Sequence, residues 1–129
     1  MKIEIFELIN PTEENRNCVF DAKLEDDKNV FFHMTPASNL KSIIDNGFKS
    51  AKELGTGELD SVSYANRSSG CFANLGSNLK AEHVIFAVRF QQEALNEIVV
   101  NQSDIHVYKK NLQPERLGIV YLPAGFRLS

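Results

Sequence analysis

The chain has only two cysteines, Cys18 and Cys71, no excess of basic charge, and no apolar run near the roughly eighteen residues of a membrane span. Each scarcity excludes something. Two cysteines far in sequence from the three histidines suggest neither a disulfide framework nor a zinc site, and they fit a reduced compartment. Glu4 and Glu7 interrupt the N-terminal apolar residues, so no basic segment joins an apolar run of signal-peptide length. The expectation is a cytoplasmic protein with no membrane span and no metal. A net charge of −3 and a pI near 5.6 lack the footprint that generic phosphate-backbone binding requires, and they neither imply nor exclude a nucleic-acid partner.

What is present fits one domain over 1–129: 43% hydrophobic and 24% charged residues leave room for a real core and little for a second unit. The most organised stretch runs from Val30 to Lys49. Val30, Phe31 and Phe32 suit a half-buried strand, and Thr35-Pro36 reads as a helix start, with Thr accepting from an orphan amide. Leu40, Ile43 and Ile44 then repeat at helical spacing over about three turns, and Gly47 supplies the stop. This leaves His33 and the backbone of Met34 where strand gives way to helix.

Elsewhere the pattern is of short strands. Met1 to Ile9 alternates as an outer strand would, Asn10-Pro11 with Glu13 and Glu14 reads as a short helix start, and Lys23 to Asn29 as a solvated turn rather than a metal site. Ala51 to Asp60 contains Gly55-Thr56-Gly57 but lacks the Lys-Ser/Thr of a phosphate loop, and it reads as a flexible loop. Ser61 to Ala65 alternates as a strand, Asn66 to Leu75 is a polar turn into a short helix, and His83 to Phe90 is the most strand-like run of all. Gln91 to Leu95 reads as a helical turn, Glu97 to Val100 and Asp104 to Lys109 as strands, Asn111 to Leu117 as a turn or short helix, and Gly118 to Leu122 as the last strand. Helices do not alternate with strands, so the fold class is α+β, antiparallel-rich, with one main early helix and short flanking ones.

Three separated motifs are similar to those of the ADP-ribosyltransferase fold, in its branch with a His-Tyr-Glu signature. His33-Met34-Thr35, followed by Asn39-Leu40-Lys41-Ser42-Ile43-Ile44-Asp45-Asn46-Gly47-Phe48, resembles the first. Ser61-Val62-Ser63-Tyr64-Ala65 with Ser69-Gly70-Cys71-Phe72 resembles the second, and Asn96-Glu97-Ile98-Val99-Val100 the third. The resemblance covers about 30–122 and implies a compact split β-sheet core. It implies that NAD is the substrate, that His33 bonds a ribose hydroxyl, and that the Met34 backbone pairs with the nicotinamide carboxamide beside the Thr35 position. It implies further that Ser69 binds that carboxamide, that Phe72 stacks on the ring with Tyr64 on its other face, and that Glu97 holds the ribose 2′-hydroxyl.

Two departures stand out. The family's Gly after His is Met34, and its strand Tyr falls on Ser63 with Tyr64 one residue later, so either the strand is bulged or Ser63 faces the pocket with Tyr64 buried. Within that family the chain looks most like small bacterial and phage transferases and toxins. The activity implied is mono-ADP-ribosyl transfer to a protein or nucleic-acid acceptor, with His33 and Glu97 catalytic. A silent relative binding a nucleotide or a partner protein is the alternative, and an RNA 2′-phosphotransferase ranks last because the arginines are scattered. His83 and His106 read as ordinary strand residues and Cys71 as a buried thiol.

Overall fold

Val84, Ile85, Phe86, Ala87 and Val88 are all 0% exposed, so the strand that carries them is covered on both sides. Val84, Phe86 and Val88 join one apolar cluster and Ile85 and Ala87 the other, as the period-2 alternation of a strand requires. The computed structural model describes residues 3–58, 60–72, 79–101, 104–107 and 112–127, and only the backbone of Glu97, Val99, Val100, Asn101 and Asp104. Within them the order is β1 (Glu4–Ile5), α1 (Ala22–Glu25), β2 (Val30–Pro36), a 3₁₀ turn (Ala37–Asn39) leading into α2 (Leu40–Asn46), and α3 (Ala51–Leu54). There follow β3 (Val62–Ala65), a 3₁₀ turn (Ser68–Phe72), β4 (His83–Arg89), a 3₁₀ turn (Gln92–Glu97), β5 (Val99–Asn101), β6 (Asp104–Val107) and β7 (Glu115–Leu122). No described helix is long and apolar enough to cross a membrane.

The strands form one mixed sheet in the order β1-β7-β4-β2-β3-β6-β5, parallel only between β1 and β7. The α+β, antiparallel-rich architecture is therefore present. The sheet is nearly divided: β4 pairs with β2 along seven residues, whereas β2 meets β3 through the single pair Phe32 and Ala65. On one face, Val19, Phe20 and Phe72 cover Phe32, Ile85 and Val120; on the other, Leu40 and Ile43 of α2 and the Phe48 ring cover Phe31, Phe86 and Ile119.

Several local expectations give way to tertiary pairing. Thr35 and Pro36 continue β2 opposite Val84 and His83, so Thr35 caps nothing, and its hydroxyl instead accepts from Asn39 Nδ2 at 3.0 Å. His33 consequently sits within a strand, not at its end. Glu13 and Glu14 lie in a turn, tied by Thr12 and Asn15, and not in a helix. Glu97 closes the 3₁₀ turn and lies outside β5. The segment after Pro114 enters β7 directly. Ser50 and Glu53 form a reciprocal capping box that makes Ala51–Leu54 helical where a loop was expected. Leu75, Lys109 and Asn111 lie outside the described residues.

The run from Lys23 to Asn29 is the largest departure. Glu25 ends α1 only 4% exposed, and its carboxylate accepts from the Phe20 amide, the Ser68 amide and the Ser68 hydroxyl. Asp26 pairs with Arg67 at 2.9 Å and Asp27 with Arg89 at 2.5 Å. What reads as a solvated turn is a clamp on the 3₁₀ turn that follows β3.

Gly47 ends α2 at φ 81°, and a Cβ there would stand 2.7 Å from Gln113 Oε1, which accepts from the Phe48 amide. Gly47→Ala should therefore cost about 1–3 kcal/mol through backbone strain and loss of the Gln113 contact, read as a lower urea midpoint. An unchanged midpoint would refute this account of the turn.

Candidate functional site

Beyond the Phe32–Ala65 pair, β2 and β3 separate, and His33 bridges the gap. Its Nδ1 lies 2.7 Å from the Ser63 carbonyl oxygen. A carbonyl only accepts, so Nδ1 carries the proton, and Nε2 makes no hydrogen bond among the described residues. The ring packs edge-on to Phe48 at 5.1 Å and against Tyr64 at 5.6 Å. Loss of water in this aromatic setting lowers its pKa, outweighing the Ser63 contact that raises it, so the imidazole is neutral near pH 7.

Two cavities meet at this ring. The smaller, about 90 Å³, lies under α2 and is lined by His33, Thr35, Asn39, Ile43, Phe48 and Lys49 among others, with Leu54 at 57% exposure on its lip. The larger, about 230 Å³, opens between β2 and β3 and is lined by Phe32, His33, Met34, Ser63, Tyr64, Ala65, Gly70 and Cys71. Their positions follow from strand alternation: His33 and Thr35 point toward α2, and Met34 toward the opposite face. A wider depression of about 530 Å³ beside β1 and β7 brings together Phe6, Leu24 and Leu117 with Arg89, whose charge Asp27 already meets.

In the larger cavity the Met34 amide faces the Cys71 sulfur. Burial, with Glu25 adding to it, pushes the Cys71 thiol up to about 12, against the amide contacts that lower it. It is a neutral thiol and a poor nucleophile. Burial likewise raises the Tyr64 phenol, opposed by Arg116.

The sequence-derived residues divide between these walls. His33, Met34, Thr35, Ser63 and Tyr64 border one cavity or the other, Tyr64 at 4% exposure and Ser63 exposed, so the strand carries the second of the two arrangements considered. Phe72 does not border either: its ring is 4% exposed and packs on Phe126 at 5.4 Å, because the 3₁₀ turn aims Gly70 and Cys71 at the gap and Phe72 into the core. Ser69, half-buried, lies by Cys18, while its neighbour Ser68 is fully buried against Glu25. The side chain of Glu97 falls outside the described residues; its backbone lies two positions before Val99, which pairs with His106, itself paired with Ser63.

Sequence reasoning set His106 aside, yet its Nδ1 lies 3.1 Å from Ser61 Oγ and 3.3 Å from Ser63 Oγ. Only the register of β3 against β6 brings them together. Among the described residues no three His, Cys, Asp or Glu side chains cluster as metal ligands.

A histidine whose folded pKa is lowered is protonated first in the unfolded chain, so acid favours unfolding. The contribution of His33 is therefore a loss of stability as pH falls below about 6.5. Between about pH 7.5 and about pH 5.5 the urea midpoint of wild type should drop more than that of His33→Gln; equal drops would contradict a desolvated neutral ring. Comparison of the chain with family models, with curated proteins and with solved structures finds no match.

Proposed function

We propose that the chain is an NAD-dependent mono-ADP-ribosyltransferase, cleaving the nicotinamide glycosidic bond and transferring ADP-ribose to a protein or nucleic-acid acceptor. The observation that carries the reading is the pair of cavities sharing one neutral imidazole at the seam of the sheet. A dinucleotide is two ring systems joined through ribose and phosphate, and it needs two unequal recesses with a hydrogen-bond acceptor for ribose hydroxyl between them. His33 Nε2 is such an acceptor. Together the recesses just reach the lower end, about 300 Å³, of the usual range for ligand sites.

The sides of the larger cavity suit the nicotinamide end. The Met34 amide is a donor for a carboxamide oxygen, and the Tyr64 ring and Ser63 flank the same space. The smaller cavity offers Ile43 and Phe48 as apolar walls with Thr35, Asn39 and Lys49 as polar contacts, a mixture suited to a nucleoside. Glu97 is assigned by resemblance as the carboxylate on the 2′-hydroxyl of the nicotinamide ribose. Positive charge develops on that ribose as the C–N bond breaks, so a carboxylate there lowers the barrier more than it strengthens ground-state binding.

The test is mass spectrometry of NAD incubated with wild type and with Glu97→Gln in a cell lysate, with calorimetry of NAD binding. Wild type should release nicotinamide and mark an acceptor with ADP-ribose. Glu97→Gln should bind NAD as tightly and turn over about 10²–10³ more slowly. Intact NAD with no measurable binding to wild type would overturn the reading, and binding without turnover would favour the silent module.

A further inference from the structure

We infer that Ser63 and His106 form a proton relay that takes the proton from the attacking acceptor as ADP-ribose is transferred; this rests on the proposed transferase activity. The observation is geometric. Ser63 lines the larger cavity and is exposed, so its hydroxyl is within reach of a molecule entering from solvent, while the same hydroxyl lies 3.3 Å from His106 Nδ1. Ser63, His106 and Val99 are successive partners across β3, β6 and β5, which sets the relay in the row that leads toward Glu97. Ser61, 3% exposed, reaches the same nitrogen at 3.1 Å from the buried side. His106 Nδ1 lies within hydrogen-bond reach of both hydroxyls, and of the two only Ser63 borders the cavity.

The step balances without any further reagent. The acceptor's lone pair forms a bond to ribose C1′ while the C1′–N bond breaks, and its electron pair leaves with nicotinamide, which departs neutral. The acceptor's proton passes to Ser63 Oγ as the Ser63 hydroxyl proton passes to His106 Nδ1, and the imidazolium then returns a proton to solvent. His33 is undisturbed by changes in the Ser63 side chain, because it is anchored on the backbone carbonyl of that residue. The two histidines therefore have separable tasks on either side of β3: one orients the ribose, the other drains the proton.

Water serves as the probe acceptor, with NAD hydrolysis followed as nicotinamide release in H₂O and in D₂O. Ser63→Ala and His106→Gln should lower kcat about 10²-fold with KM for NAD unchanged, and should abolish the solvent isotope effect. Ser63→Thr, which keeps a hydroxyl and suits a strand, should restore both. Ser63 is exposed, so its Ala variant is expected to fold, and a thermal melt checks this. Unchanged kcat in Ser63→Ala, or a change confined to KM, would overturn the relay while leaving the transferase reading standing. A wild type that releases no nicotinamide overturns both.

Discussion

The single backbone pair between Phe32 and Ala65 is the constraint on which the rest depends. With more pairing between β2 and β3 the sheet would close over His33 and leave no cavity; with less, the block of β3, β6 and β5 would have no fixed relation to that of β1, β7, β4 and β2. The imidazole of His33 replaces the missing ladder contact by reaching the Ser63 carbonyl, so one side chain satisfies a backbone acceptor and keeps the gap open. The ring is held by Phe48 and Tyr64, and Phe48 is held in turn by Phe86 at 5.1 Å and by Gln113 through both backbone polar groups of Phe48. Rigidity reaches the seam from the core.

The far wall of the gap depends on a different interaction. Glu25 is a buried carboxylate with no cation beside it among the described ion pairs, and it is accommodated by three donors from Phe20 and Ser68. Ser68 Oγ also accepts from the Val19 amide, so the N-terminal segment, α1 and the turn after β3 are tied at one point. The consequence for the site is positional: the clamp presents Gly70 and Cys71 to the cavity and sends Phe72 inward. Asp26 and Asp27, pairing with Arg67 and Arg89 in partial exposure, add little energy and serve to fix register.

How legible this was in the sequence depends on the range of the interactions involved. The strands His83–Arg89 and Val62–Ala65 and the helix ending at Gly47 are written in local periodicity and turn chemistry, and they are where the pattern put them. Ser50 and Glu53 also carried a readable signal, the capping-box spacing, which identifies α3. Thr35-Pro36 misled because a local cap preference lost to seven residues of pairing with β4. The pairing of Glu25 with Ser68 and the meeting of Ser61 and Ser63 with His106 had no local signature, since these partners lie more than forty residues apart. His33, Met34 and Tyr64 meet at one gap because of the register of β2 against β3, which local periodicity does not record.

The Met34 amide, on the wall of the gap, has a weak partner. Met34 is half-buried and its amide faces the Cys71 sulfur, which burial keeps a neutral thiol. Thiol sulfur is a weak acceptor, strong enough to satisfy the amide in part and too weak to hold it against a carbonyl oxygen. A neutral carboxamide entering the gap would therefore exchange a poor acceptor for a good one and would displace no charge. Ionised, the same sulfur would be a strong acceptor for the amide, and burial keeps it protonated. On the proposed transferase reading, Met34 in place of the Gly of that family asks only that its side chain turn away, because the contact proposed there is made by the backbone.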